Sequence, residues 1–216
     1  MHDWPPTSLP EDMVLICTDP QSAVVKRLRL NARVLAGAVL LELLLHSAIT
    51  VDAKQITGVR PLTLGDPFAE RILAEINSTR PSRSSLRLSR WVDKASRKVD
   101  RAYLDRLAAR GLLYPQRRRM WGIFPSTKWT AVNPGWFLHL AARVDHAVRP
   151  EAYGPPGTSD LYLTALVGVF GLDRRLYPGR GNRHLRRRIS DLGRANPVVN
   201  AVQQVLAADA RRRSDD

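Results

Sequence analysis

Three observations predict a mainly α fold: a compact single domain of bundle-like helices with one or two short β-hairpins. Residues 31–46 (NARVLAGAVLLELLLH) are apolar almost without interruption, which suits a central helix buried on most of its sides. Several other segments repeat apolar residues at helical spacing behind an N-cap or ahead of a C-cap. The β-branched runs are few and short. Ile49-Thr50-Val51 and Ile56-Thr57-Gly58-Val59 make one small two-stranded element, not a doubly wound sheet.

Each element has its own signals. Ser8 and Glu11 have capping-box spacing ahead of Met13, Val14, Leu15 and Ile16, and Asp19-Pro20 stops that first helix. In TLGDPFAERILAEINS, Asp66 is the N-cap, Pro67 the first helical residue and Glu70 a first-turn acid, with Phe68, Ile72, Leu73 and Ile76 on one face. A helix beginning near Ser84 or Ser85 carries Leu86, Leu88, Trp91 and Val92. Another spans 97–110, turns Val99, Tyr103, Leu104 and Leu107 inward and ends at Gly111. Residues 112–132 read as a hairpin and Pro134 to Val148 as a helix. Helices at 159–170, 183–193 and 197–210 follow a Pro/Gly-rich loop at 149–158, the best linker candidate. The domain is expected over 8–210, between a tail at 1–7 and a frayed end at 211–216.

Charge is the main functional signal. The 216 residues hold 34 Lys plus Arg against 20 Asp plus Glu, a net charge of +14, so the surface should attract polyanions. The excess is concentrated: residues 80–119 carry thirteen basic side chains against only Asp93, Asp100 and Asp105. No apolar stretch approaches the roughly 18 residues of a membrane span, and the first twenty residues lack a basic stretch before an apolar run. That predicts a protein that is neither membrane-spanning nor exported. Cys17 is the single cysteine, which leaves no internal disulfide and fits a reducing cytoplasm.

Constellations for catalysis are missing from the sequence. The histidines form no HExxH, and His139 and His146, seven residues apart, read as structural. There is no phosphate-cradling GxxxxGK[ST] or GxGxxG; the nearest glycine-rich stretch, Pro178 to Arg183 (PGRGNR), reads as a loop and cap. Glu42 is the acid most exposed to burial, and an arginine partner is expected for it. The expectation is a binding protein with no metal and no cofactor, not an enzyme.

The stretch Arg117 to Trp129 (RRRMWGIFPSTKW) sets three arginines beside large apolar side chains, with Gly122 and Pro125 marking a turn. One reading is a hairpin folded onto its own core; the other is a wedge that inserts Trp121, Ile123 and Phe124 into a bilayer surface.

Taken in order, the motifs resemble the Golgi phosphoprotein 3 family. The opening VLICTD is followed by LAGAVLLELLLHSAI, a helix with a central glycine and an internal Glu. LGDPFAERIL is similar to the family's TGDxLLDExL, VDRAYLDRLAARGLL to its VRERLxxxLVxKGVL, and the single Trp of LSRWVDKAS and the hairpin WGIFPSTKWTAVNP fall in their expected places. The likeness covers roughly residues 10–210. It implies a compact helical domain that sits peripherally on membranes, binds phosphatidylinositol 4-phosphate in a basic pocket, uses its hairpin for membrane contact or oligomerisation and escorts membrane-protein tails.

The family's pocket positions carry over only in part. Its headgroup tryptophan falls at Arg27 and a partner arginine at Ala36; of two basic positions one turn apart on the later helix, the first falls at Arg97 and the second at Asp100. The expected headgroup set is therefore Arg97, Arg101, Lys98, Lys94, Arg27 and Arg33, a basic surface for anionic lipid. The expected membrane or oligomer contact is the hairpin with Arg117, Arg118, Arg119, Trp121, Ile123, Phe124 and Trp129. Four or five cations near an anionic leaflet supply about 4–5 kcal/mol, and each inserted apolar side chain about 1.5–3 kcal/mol, which together reach micromolar binding.

The partners expected are an anionic membrane surface on its cytoplasmic face, protein tails and a second copy through the hairpin. The main alternative is nucleic acid, because a basic helix followed by an Arg-rich hairpin is also a winged-helix layout and RHLRRR stands at 183–188.

Overall fold

The computed structural model describes residues 4–26, 32–79, 86–120 and 124–214, without the side chains of 117–120 and 124–126. Among these, eleven helices and two two-stranded antiparallel sheets follow one another along the chain: α1 (Leu9–Leu15), α2 (Ala32–Leu45), β1 (Ile49–Asp52), β2 (Gln55–Val59), α3 (Pro67–Ser78), α4 (Leu88–Ala95), α5 (Val99–Ala109), β3 (Leu113–Met120), β4 (Phe124–Ala131), α6 (Trp136–Val148), α7 (Pro150–Tyr153), α8 (Thr158–Phe170), α9 (Asp173–Leu176), α10 (Arg183–Ala195) and α11 (Pro197–Ser214).

Helix α2 is the axis. Val34 to Leu43 are all buried, and α1, α3, α4, α5, α8 and α11 pack around them. So many neighbours need close approach, which Gly37 supplies: a Cβ there would stand 2.4 Å from Val202 Cγ2 of α11. Gly168 does the same between α8 and α10, where a Cβ would meet Ile189 Cγ2 at 2.7 Å. The chain is thus one mainly helical domain with a single core. Helices α6 and α8, which flank the segment at 149–158, pack directly on each other.

Local signals explain the helix ends. The Glu11 carboxylate accepts from the Ser8 backbone N–H at 2.9 Å, closing the capping box of α1. The Asp66 carboxylate accepts from the N–H groups of Phe68 and Ala69, both at 3.1 Å, at the start of α3. Gly111 takes φ +70° after α5, the left-handed turn that ends the helix. Several expected boundaries shift. Helix α1 stops at Leu15, before Asp19-Pro20, because residues 18–26 fold back onto the hairpin: Val25 N–H donates to the Trp129 carbonyl at 2.8 Å and Ala131 N–H to the Ala23 carbonyl at 2.8 Å. Helix α4 starts at Leu88, since Leu86 and Arg87 pair with the β1–β2 turn. Helix α11 continues to Ser214, so Arg211 to Arg213 stand in its last turn.

The buried acids of α1 are the main electrostatic feature of the interior. Glu11 and Asp12 are both fully buried. Arg106 and Arg110 of α5 hold Glu11 at 3.0 and 2.6 Å, while Arg143 of α6 spans Asp12 at 2.6 Å and Asp160 of α8 at 2.7 Å. Burial outweighs Arg143 and the Thr7 hydroxyl at Asp12, and its carboxyl is pushed up to about 6. Glu42 is buried as expected, but among the described residues no arginine meets it. Its carboxylate accepts from the Leu9 N–H at 2.8 Å and contacts His46 Nε2 at 3.1 Å, so the first turn of α1 supplies the compensation.

Candidate functional site

The turn between α4 and α5 carries the cations that the sequence singles out. Trp91, Val92 and Ala95 of α4, with Val99, Tyr103 and Leu104 of α5, face the core. Residues between the last and first of these have to face outward, and Arg97 and Lys98 are exposed. Lys98 adopts φ +63°, a left-handed conformation in the three-residue turn between Ala95 and Val99. Among the described residues neither side chain has an ion-pair partner.

The surrounding basic residues are engaged. Arg33, in the first turn of α2, reaches Asp93 at 2.5 Å and Asp209 at 3.1 Å, and also donates to the Ser96 hydroxyl. It thereby pins α2, α4 and α11 together behind the turn, and its guanidinium holds the site in place while lying mostly covered. Lys94 sits 3.0 Å from Glu75 and 4.7 Å from the Trp91 ring centroid. Burial raises the Glu75 carboxyl, but the bonds from Lys94 and Arg71 outweigh it and leave the pKa lowered. Arg101 pairs with Asp105 one turn on at 2.6 Å, with both side chains exposed, a pair that solvent screens and an incoming anion can exchange.

Arg27 lies outside the described residues. The described chain leaves at Lys26, beside Trp129 at the hairpin base, and resumes at Ala32, beside the α4–α5 turn. The family's arginine position, Ala36, is fully buried in α2 against the core and cannot face a headgroup.

The hairpin expected at 112–132 is present, and its two eight-residue strands make it longer than the short one expected. Strands β3 and β4 pair from Leu113 with Ala131 to Met120 with Phe124. At about 3.4 Å per residue it extends roughly 24 Å. Trp129 departs from the sequence reading: at 4% exposure it packs into the core with Leu113 and Ala131, and so anchors the hairpin base. Trp121 and Ile123 lie outside the described residues, as do the side chains of Arg117, Arg118, Arg119 and Phe124, whose backbones stand in the outer half of the strands.

Sequence reasoning missed Ser96 and Asp209, which position Arg33. Asp209 is 176 residues away from it, and no local pattern links the two. The PGRGNR loop is occupied by its own chain: Arg186 Nη1 donates to the Tyr177 and Gly179 carbonyls at 2.5 and 2.7 Å, and Asn182 to the Pro178 carbonyl at 2.8 Å. Carbonyls, not amides, gather there. His139 stacks on Trp4 with centroids 4.5 Å apart, which is a packing role.

Among the described residues no helix is long and apolar enough to cross a membrane. A buried helical axis, a cationic inter-helix turn and a long hairpin define a compact, mainly α-helical domain. A sequence model of the Golgi phosphoprotein 3 (GPP34) family matches residues 9–208, nearly the whole chain. The chain belongs to that family. Comparison with curated proteins finds no match.

Proposed function

We propose that this protein binds anionic phospholipid headgroups on the cytoplasmic face of a membrane, as a peripheral binding protein and not an enzyme, with phosphatidylinositol 4-phosphate-like lipids as the finer candidate. The observation that carries the reading is the pair Arg97 and Lys98, exposed side by side on the short α4–α5 turn with no internal anion to neutralise them among the described residues. Family membership supports the same reading.

Energetics give the hairpin a necessary part. Two cations without a described ion-pair partner supply about 2 kcal/mol at an anionic leaflet, and exchange of Arg101 from Asp105 adds at most about 1 kcal/mol. That falls short of the roughly 8 kcal/mol of micromolar binding. Insertion of Trp121, Ile123 and Phe124 at about 1.5–3 kcal/mol each supplies the remainder. Ala36 and Asp100, where the family has cations, favour recognition of charge density over a stereospecific pocket.

Co-sedimentation with neutral, anionic and phosphoinositide-doped liposomes at equal total charge tests this, with duplex DNA as competitor. Binding to both charged compositions and not to neutral ones is expected, with loss in Trp121→Ala/Phe124→Ala. Preference for the phosphoinositide at equal charge identifies the finer lipid. No pelleting with any liposome, together with tight DNA binding, overturns the proposal in favour of nucleic acid.

A further inference from the structure

On the far side of α4 from the cationic turn, a cleft of about 750 Å³ opens between the β1–β2 turn, the start of α4 and one stripe of α11. Three cations from three elements line it: Lys54 of the turn, Arg87 just before α4 and Arg211 near the end of α11. No carboxylate appears among the described lining residues, and none of the three cations has a carboxylate partner among the described residues. On a protein whose other arginines so often meet an acid, a cleft lined by three cations with no described acid partner suits an anionic ligand.

The frame is rigid. Leu88 N–H donates to the Lys54 carbonyl and Ile56 N–H to the Leu86 carbonyl, both at 2.9 Å, so the turn that bears Lys54 and the segment that bears Arg87 move as one piece. The opposite wall is a helical stripe, Asn200, Gln204, Ala207 and Arg211, spaced three or four residues apart on one face of α11. From Asn200 to Arg211 that wall runs about 16 Å at 1.5 Å per residue, the length of roughly five residues of extended chain. Ala201 and Ala207 keep it shallow enough for a backbone to lie against. Gln203 and Gln204 are exposed on it, and their amides both donate and accept, as a peptide backbone requires. A single phosphate would need donors converging on one point. Here the cations come from three elements around a groove whose α11 wall is about 16 Å long.

We infer that the cleft between the β1–β2 turn and α11 binds an extended acidic peptide segment of a partner protein, with Lys54, Arg87 and Arg211 pairing its carboxylates and Gln203 and Gln204 its backbone. This site is separate from the lipid-facing turn, and neither depends on the other.

Fluorescence anisotropy with fluorescein-labelled hexaglutamate tests it, using the full chain. Arg87→Glu/Arg211→Glu should weaken binding by about tenfold or more, whereas Arg97→Glu/Lys98→Glu, which removes the same charge elsewhere, should change it by about twofold or less. The milder Lys54→Gln should weaken binding in the same direction, and pyrophosphate at equal charge concentration should leave the peptide bound. The cleft variant should still pellet with anionic liposomes, which separates this test from that of the lipid reading. Equal loss in both double variants, displacement by pyrophosphate, or no binding by the parent protein would each overturn the inference.

Discussion

The two ends of α5 carry the same residue type to opposite purposes. Near its C-terminus, Arg106 and Arg110 converge on Glu11, a fully buried acid whose helix N-terminus they hold against the domain. Near its N-terminus, Arg97 and Lys98 project into solvent with no described partner. One end is structural charge, compensated at a distance of about 95 residues in sequence. The other is charge left open. A net charge of +14 counts both alike, so the functional part of a basic surface is what remains after the internal pairs are subtracted.

Breaking the paired end should have the largest effect. Glu11→Ala leaves two partly covered arginines without their acid and removes the capping box of α1. Chemical denaturation should show a loss of about 3–5 kcal/mol. A loss below about 1 kcal/mol would mean that solvent, not Glu11, compensates those arginines, and the contrast between the two ends would vanish.

Asp12, beside it, sharpens the comparison through pH. Its folded pKa of about 6 lies above the ordinary 3.8, so the folded state holds a proton that the unfolded chain releases. Asp12 therefore contributes stability below about pH 4 that is lost as pH rises through 6. Asp12→Asn, which stays neutral, should gain on the parent protein by up to about 3 kcal/mol as unfolding is followed from pH 4 to pH 7. A difference that moves the other way would show that Arg143 and Thr7 outweigh burial.

Much of this architecture was legible because it is local. The apolar run of α2, the Asp66-Pro67 start of α3, the Gly111 stop of α5 and the hairpin at 112–132 each carry their signal within a few residues. What escaped was set by distant contacts. Helix α1 ends early because residues 18–26 join the hairpin base, Trp129 is core because it packs there, and Glu42 is satisfied by the first turn of α1 where an arginine was expected. At the site, the choice of Arg97 and Lys98 followed from the family resemblance, although both lie in the turn before Val99 and not in the helix expected from 97. That Arg33 is tied to Asp93 and Asp209 did not, since α11 returns to α2 only through the tertiary fold.

Arg33 stands between the two regimes and should give an intermediate effect. It joins three helices, yet its partners are partly solvated. Arg33→Met keeps the apolar stem and removes the pairs, and should lower stability by about 1–2 kcal/mol. It should also loosen the α4–α5 turn, seen as faster amide exchange at Arg97 and Lys98, while exchange in α1 stays slow. Unchanged exchange at the turn would remove Arg33 from its positioning role.

Reversal of the open end should leave the fold almost untouched. Arg97→Glu/Lys98→Glu breaks no described ion pair, so its unfolding free energy should match the parent within about 0.5 kcal/mol. Its association with anionic liposomes should nonetheless fall steeply, because each reversal replaces about 1 kcal/mol of attraction by a similar repulsion, and the deficit should shrink as salt is raised. A salt-independent loss would instead point to a packed headgroup pocket at the turn. A destabilised variant would show that these cations, like Arg106 and Arg110, have an internal partner, and the distinction between the two ends of α5 would fail.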